Sequence, residues 1–150
     1  MNTDKRPSWD EYFMHLAEES ALRSKDPNTK VGACIVKDNR VLSLGYNGAP
    51  RGFDDDLVPL GRGSNLPLAQ QKNTFMCHAE LNAILNYRGS LSDFEGASIY
   101  ITLSPCHDCA KAIAQLKIKE VIYKEEYHKK EIVDISKFIF KQCKINYRQL

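Results

Sequence analysis

The sequence predicts one α/β domain built on a mixed sheet of about five strands. Three observations predict it. From residue 97 onward, strand-like and helix-like segments alternate, which calls for parallel neighbours joined by helical crossovers. Residues 31–46 carry two short runs rich in β-branched residues around "DN", the pattern of an antiparallel hairpin. A chain of 150 residues suffices for one core and is short for two ordinary ones.

Each element has its own signal. "PSWDEYFMHLAEESALRS" opens with a capping box, Ser8 followed by Glu11, and its apolar residues recur at helical spacing from Trp9 to Ala21. "DPN" ends that helix. "VGACIVK" and "RVLSLGY" are the hairpin strands. Residues 47–74 are rich in glycine and proline and predict a long loop, which inside a small domain is more often functional than idle. A second helix then carries His78 and Glu80 and ends at "YRG", with Gly89 as its C-cap. "ASIYITL", "KEVIYK" and "KINYR" read as strands, separated by the helices "CHDCAKAIAQLKI" and "KKEIVDISKFIFKQC".

Composition narrows the class. With 43% hydrophobic and 27% charged residues the chain reads as a soluble globular protein. No apolar run approaches the roughly eighteen residues of a membrane span, and "MNTDKRPSWDEYF" lacks a signal-peptide core, so the expected location is cytoplasmic. The formal charge is +2, and residues 117–150 hold nine Lys/Arg against five Asp/Glu, a basic excess that reads as a solvated helix face. Five cysteines, an odd number, point to metal or redox chemistry rather than a disulfide framework. Among them Cys34 and Cys143 read as buried thiols at a strand and a helix end, while His15 and His128 read as surface residues and His107 points to solvent. The acidic "FDDD" (53–56) reads as a solvated loop tip.

His78, Cys106 and Cys109 are the candidate metal ligands. A catalytic zinc takes three protein ligands and keeps a fourth position open for water. Cys106 and Cys109 at i and i+3 face one side of a helix. "SPCHDC" (104–109) reads as its entrance, with Ser104 as N-cap and Pro105 at the first position. Singly these residues are weak evidence: a CxxC after a strand also fits a redox pair, cysteines are often buried as packing, and Glu80 could merely complement a helix dipole. Together, His-x-Glu and Pro-Cys-x-x-Cys match the signature of zinc deaminases. Two thiolates already balance the charge of the metal, which leaves Glu80 free to carry protons. It would move one from the attacking water to a ring nitrogen of an amino-substituted base, then protonate the leaving amine.

"RSKDPNTKVGACIV" (23–36), "GYNGAPRG" (45–52), "CHAELNAI" (77–84) and "TLSPCHDCAKAI" (102–113) resemble, in order, segments of the zinc-dependent deoxycytidylate (dCMP) deaminases of the cytidine deaminase-like superfamily. The resemblance runs over roughly residues 8 to 128, and "RSKDP" with "GYNGAP" separates this branch from the tRNA-adenosine, guanine and riboflavin-pathway deaminases. It implies a three-layer α/β/α fold, one catalytic Zn2+ on His78, Cys106 and Cys109, Glu80 as proton shuttle, and conversion of dCMP to dUMP for thymidylate synthesis. It further implies that Asn47 bonds the sugar 3′-hydroxyl. Arg23, Lys25 and Tyr127 are then candidates for the 5′-phosphate, with Ala79 and Ser104 completing the substrate set. Asn47, Gly48 and Arg51 fall where family members bind an allosteric nucleotide, dCTP activating and dTTP inhibiting, with Mg2+. Family enzymes are commonly homohexamers. Some viral members carry a second, structural zinc in the loop, but residues 51–76 here hold neither histidine nor cysteine, and Cys77 stands alone.

Three other readings leave something unexplained. A tRNA-adenosine deaminase needs a concentrated basic face, whereas Lys129, Lys130, Lys137, Lys141, Lys144 and Arg148 are interleaved with Glu131, Asp134 and core-like residues. A nucleotide-binding regulatory protein with a structural zinc has no need of Glu80. A redox protein leaves His-x-Glu idle. The expected partners are therefore small nucleotides, with neither membrane nor nucleic acid.

Overall fold

In the computed structural model, which describes residues 5–150, five strands form one sheet in the order β2-β1-β3-β4-β5. Strands β1 (Gly32–Lys37) and β2 (Arg40–Tyr46) make the antiparallel hairpin, and Asp38 and Asn39 turn it at φ 52° and 58°, the left-handed conformation a two-residue turn demands. Strand β3 (Ser98–Leu103) pairs antiparallel with β1; β4 (Glu120–Glu125) and β5 (Asn146–Gln149) follow it in parallel. The mixed sheet expected from the alternation of segments is present.

Helix α1 (Trp9–Ala21) covers one face, burying Phe13, Met14 and Ala17 against Cys34, Val36, Tyr100 and Ile122. Its capping box is formed: Ser8 Oγ accepts from the Glu11 N–H at 3.1 Å, and the Glu11 carboxylate accepts from the Ser8 N–H at 3.3 Å. Helices α2 (Ala79–Asn86), α3 (His107–Gln115) and α4 (Lys130–Gln142) supply the opposite layer. There Ala83, Ala110, Ile113 and Phe140 pack on Ala33, Ile35, Ile99, Ile101 and Val121. Alternation along β1 and β3 thus sends successive side chains to the two cores. Phe140 is fully buried, and truncating such a ring to alanine costs about 3–5 kcal/mol.

Two element ends differ from expectation. Helix α2 stops at Asn86, and Tyr87, not Gly89, is its C-cap, with an extended ψ of 135°. The Tyr87 hydroxyl donates to Asp93 and its ring packs on Phe94 at 4.8 Å, a tertiary contact that pulls it out of the helix. Helix α3 begins at His107 with Cys106 as N-cap, so Ser104 and Pro105 lie outside it. The loop of residues 47–74 contains 3-10 turns at Asp55–Leu57, Leu68–Gln70 and Lys72–Thr74. Cys34 is buried in β1 as expected, but Cys143 is exposed at the end of α4. Among the described residues no helix is long and apolar enough to cross a membrane.

Candidate metal centre and active site

Two helix starts meet at one end of the sheet. Helix α2 is pressed hard onto β2: a side chain at Gly45 would put its Cβ 2.3 Å from the Ala83 nitrogen and 2.5 Å from the Ala79 oxygen. Only glycine permits that approach. Ser43 Oγ donates to the Ala83 carbonyl at 2.6 Å, and the Asn82 and Asn86 amides donate to the carbonyls of Tyr46 and Leu44 at 2.8 and 3.1 Å. Ahead of the helix, Cys77 and Gly48 exchange backbone hydrogen bonds at 2.7 and 3.0 Å. The start of α2 is thereby fixed, and with it His78 and Glu80.

Helix α3 starts from the C-terminal end of β3, the usual place for a site in a sheet with parallel crossovers. Its entrance is anchored from α4, where the fully buried Ser136 donates to the Pro105 carbonyl at 2.9 Å. Ser104 does not cap the helix because its hydroxyl accepts instead from the Tyr127 N–H at 2.8 Å. That bond brings the loop after β4 against the cysteine loop.

The residues predicted as ligands converge. His78 Nδ1 lies 3.4 Å from Cys106 Sγ and 3.5 Å from Cys109 Sγ, and the three donor atoms all fall within 4.8 Å of one another. Zinc bonds of about 2.3 Å to sulfur and 2.0–2.1 Å to nitrogen, at a tetrahedral angle, separate S and N by about 3.6 Å. The set fits one zinc ion. His78 and Cys106 are also the N-cap residues of α2 and α3, and neither spends its side chain on a capping bond. Both are left for a metal, beside the positive ends of two helices.

The electrostatics of these groups are coupled. The Cys106 thiol is pulled well below its ordinary value, first by a hydrogen bond from Cys109 and then by His78, while the Cys109 thiol is pushed up by the Cys106 sulfur and by burial. Hydrogen bonding to Cys106 raises the His78 imidazole to about 9. Glu80, in the first turn of α2 and only 4% exposed, has its carboxyl pushed up by burial, against the opposing pull of His78 and Cys109. A buried carboxyl beside a metal set, made easier to protonate, suits a group that must both take and give protons near neutral pH.

A model of the cytidine and deoxycytidylate deaminase zinc-binding region matches residues 7–125. The chain belongs to that family. The mouse deoxycytidylate deaminase is 46% identical over 143 residues, covering 94% of this chain and 79% of the relative. The human enzyme of the same name is 44% identical with the same coverage. Among solved structures, the dCMP deaminase of cyanophage S-TIM5 in complex with dCMP and dUMP superposes with a TM-score of 0.74. It is 31% identical and covers 97% of this chain and 98% of that one. Membership accounts for the zinc-binding character of the His78, Cys106 and Cys109 group.

The remaining predicted residues are spread around this centre. Asn47 is buried at the end of β2, where Oδ1 accepts from the Val31 N–H at 2.9 Å and Nδ2 donates to the Thr29 carbonyl at 2.9 Å. Gly48 pairs with Cys77, whereas Arg51 is exposed in the turn beyond. Lys25 is exposed and pairs with Asp55 at 2.6 Å, so part of the acidic loop tip is engaged rather than simply solvated. The Arg23 guanidinium lies 5.9 Å over the Tyr46 ring. Tyr127 is half-buried, and Ala79 is fully buried under Gly45. His15 and His128 are exposed as expected; His107 keeps its side chain 42% exposed but turns Nδ1 inward without a partner. Sequence reasoning missed Lys72, a loop lysine whose side chain is only 9% exposed and pairs with Asp26 at 2.8 Å. A lysine between polar neighbours gives no local sign of burial, and "SKDP" was the only part of that pair to stand out.

Proposed function

We propose that this protein, as a single domain, hydrolyses dCMP to dUMP and ammonia, with one zinc ion on His78 Nδ1 and the thiolates of Cys106 and Cys109. The observation that carries this reading is the convergence of that ligand set with a buried Glu80. The names of its relatives and the dCMP and dUMP in the cyanophage complex support the substrate. Zinc bound there supplies a Lewis acid that lowers the pKa of a water toward about 7. Glu80 takes the proton of the attacking water and delivers it to N3 of the cytosine ring. It then takes the second proton from the hydroxyl now on C4 and passes it to the 4-amino nitrogen, so that the C4 carbonyl forms as the C–N bond breaks and ammonia leaves. Burial makes its carboxyl easier to protonate, which suits it to carry each of the two protons in turn.

Asn47 keeps one lone pair of Oδ1 after its bonds within the chain and accepts from the sugar 3′-hydroxyl. Arg23 and Lys25 hold the 5′-phosphate, which displaces the Asp55 carboxylate from Lys25, while Ser104 sets the Tyr127 backbone beside it. Ala79 lines the base pocket with its backbone. Asn47, Gly48 and Arg51 contribute to an effector site for dCTP as activator and dTTP as inhibitor, each with Mg2+, in a homohexamer of the cytoplasm that supplies dUMP for thymidylate synthesis.

An ultraviolet assay across dCMP, deoxycytidine, cytidine and dCTP tests the reading. A charge-assisted contact to phosphate contributes about 1.5–3 kcal/mol, or about ten- to a hundredfold. The expected result is a kcat/KM for dCMP above that for deoxycytidine by at least that factor, eroded in Arg23→Ala at unchanged zinc content. Equal values for the two substrates would contradict the phosphate assignment.

A further inference from the structure

Among the described ion pairs, Asp26–Lys72 is the one in which both side chains are buried, 2% and 9% exposed with Nζ and Oδ2 2.8 Å apart. Removing two charges from water is costly unless their remaining bonds are met. Here they are. Asp26 Oδ1 accepts from the Asn28 and Thr29 N–H groups at 2.8 and 3.1 Å, and Oδ2 also faces the Asn47 amide at 3.4 Å. Burial raises the Asp26 carboxyl, but Lys72 and those two N–H groups outweigh it and hold it below its ordinary value, so it stays ionised.

The pair closes a circuit around the site. The Lys72 N–H donates to the Gly61 carbonyl at 3.0 Å, and its own carbonyl accepts from Phe75 and Met76 at 3.0 and 3.2 Å, just ahead of Cys77 and His78. Cys77 is bridged to Gly48, the neighbour of Asn47, and Asn47 returns to Asp26. The proton transfers assigned to Glu80 make no use of either charge. The two loops that meet here share no strand ladder, and the ion pair joins them alongside the Gly48–Cys77 bridge.

We infer that Asp26 and Lys72 are positioning residues: their buried ion pair orients the Asn47 amide toward the substrate sugar and so sets discrimination for the 3′-hydroxyl, leaving the deamination step alone. The inference rests on Asn47 being the sugar ligand. A contact made through this amide is expected to give a preference for dCMP over 2′,3′-dideoxycytidine 5′-monophosphate of roughly tenfold in kcat/KM.

The test compares those two substrates in wild type, Asp26→Asn, Lys72→Met and the double variant Asp26→Asn/Lys72→Met, with zinc content and melting temperature measured on each. In every variant the preference should fall toward one through a higher KM for dCMP, with kcat on the dideoxy substrate and zinc content unchanged. The double variant leaves no unpaired buried charge and should regain most of the melting temperature lost in the single ones, without regaining the preference. It also serves as the readout if a single variant fails to fold. A double variant that keeps or regains the wild-type preference overturns the inference and makes the pair purely structural. A wild type that does not distinguish the two substrates overturns the Asn47 assignment and this inference together, while deamination of dCMP stands.

Discussion

His78, Cys106 and Cys109 do work that no one of them signals alone. Each is an ordinary buried or half-buried side chain until the start of α2 and the start of α3 bring the donor atoms within 4.8 Å. Because the ligands must bind as a set, loss of one should empty the site. Elemental analysis of purified protein is expected to give about one zinc per chain, and His78→Ala or Cys109→Ala should fall well below that. A wild-type value near two would mean a second site outside the cluster. The spacing of these residues made them legible in the sequence, since side chains three apart at a helix start share a face whatever surrounds them. The choice of Nδ1 over Nε2 was not legible, nor was the use of His78 and Cys106 as N-caps, because both depend on how the preceding loops arrive.

Among the elements, the two ends of the chain are tied by one side chain. Arg148 on β5 donates to both oxygens of Asp10 on α1 at 2.9 Å and to Glu120 on β4 at 3.2 Å, while the Tyr100 hydroxyl donates to Asp10 at 2.6 Å. The Arg148 hydrogen bonds, opposed by burial and aided by Tyr100, hold the Asp10 carboxyl below its ordinary 3.8. A carboxyl lowered on folding binds fewer protons in the folded state, so its stabilisation is complete above pH 3.8 and disappears as pH falls through the lowered folded value. Arg148→Met should therefore lower the melting temperature near neutrality by a few degrees, since a part-exposed pair contributes up to about 1 kcal/mol. The deficit should vanish in strong acid. A deficit that persists there would assign the loss to packing of the arginine stem instead. Where element ends departed from expectation, the residue concerned is engaged outside its own helix: Tyr87 with Asp93 and Phe94, six and seven residues on, and Ser104 with Tyr127.

Across the whole molecule, the hairpin and the parallel run of β3, β4 and β5 were legible, because a strand, a helix and a strand in succession leave little choice but a parallel crossover. The antiparallel seating of β1 beside β3 was not. The long loop was legible only as a loop. Its attachment depends on Lys72 reaching Asp26 across 46 residues and on the Gly48–Cys77 bridge, and such contacts have no local signature. The assembled fold puts the zinc set and the buried Glu80 carboxyl in one place, and the proposed function gives metal binding and proton transfer to different residues. Glu80→Gln separates them. Zinc per chain and turnover of dCMP, measured on the same preparation, should show the metal retained and kcat reduced by about 10² to 10⁴ or more. Zinc lost together with activity would make Glu80 a ligand, and activity retained at full zinc would leave the proton transfers to another group.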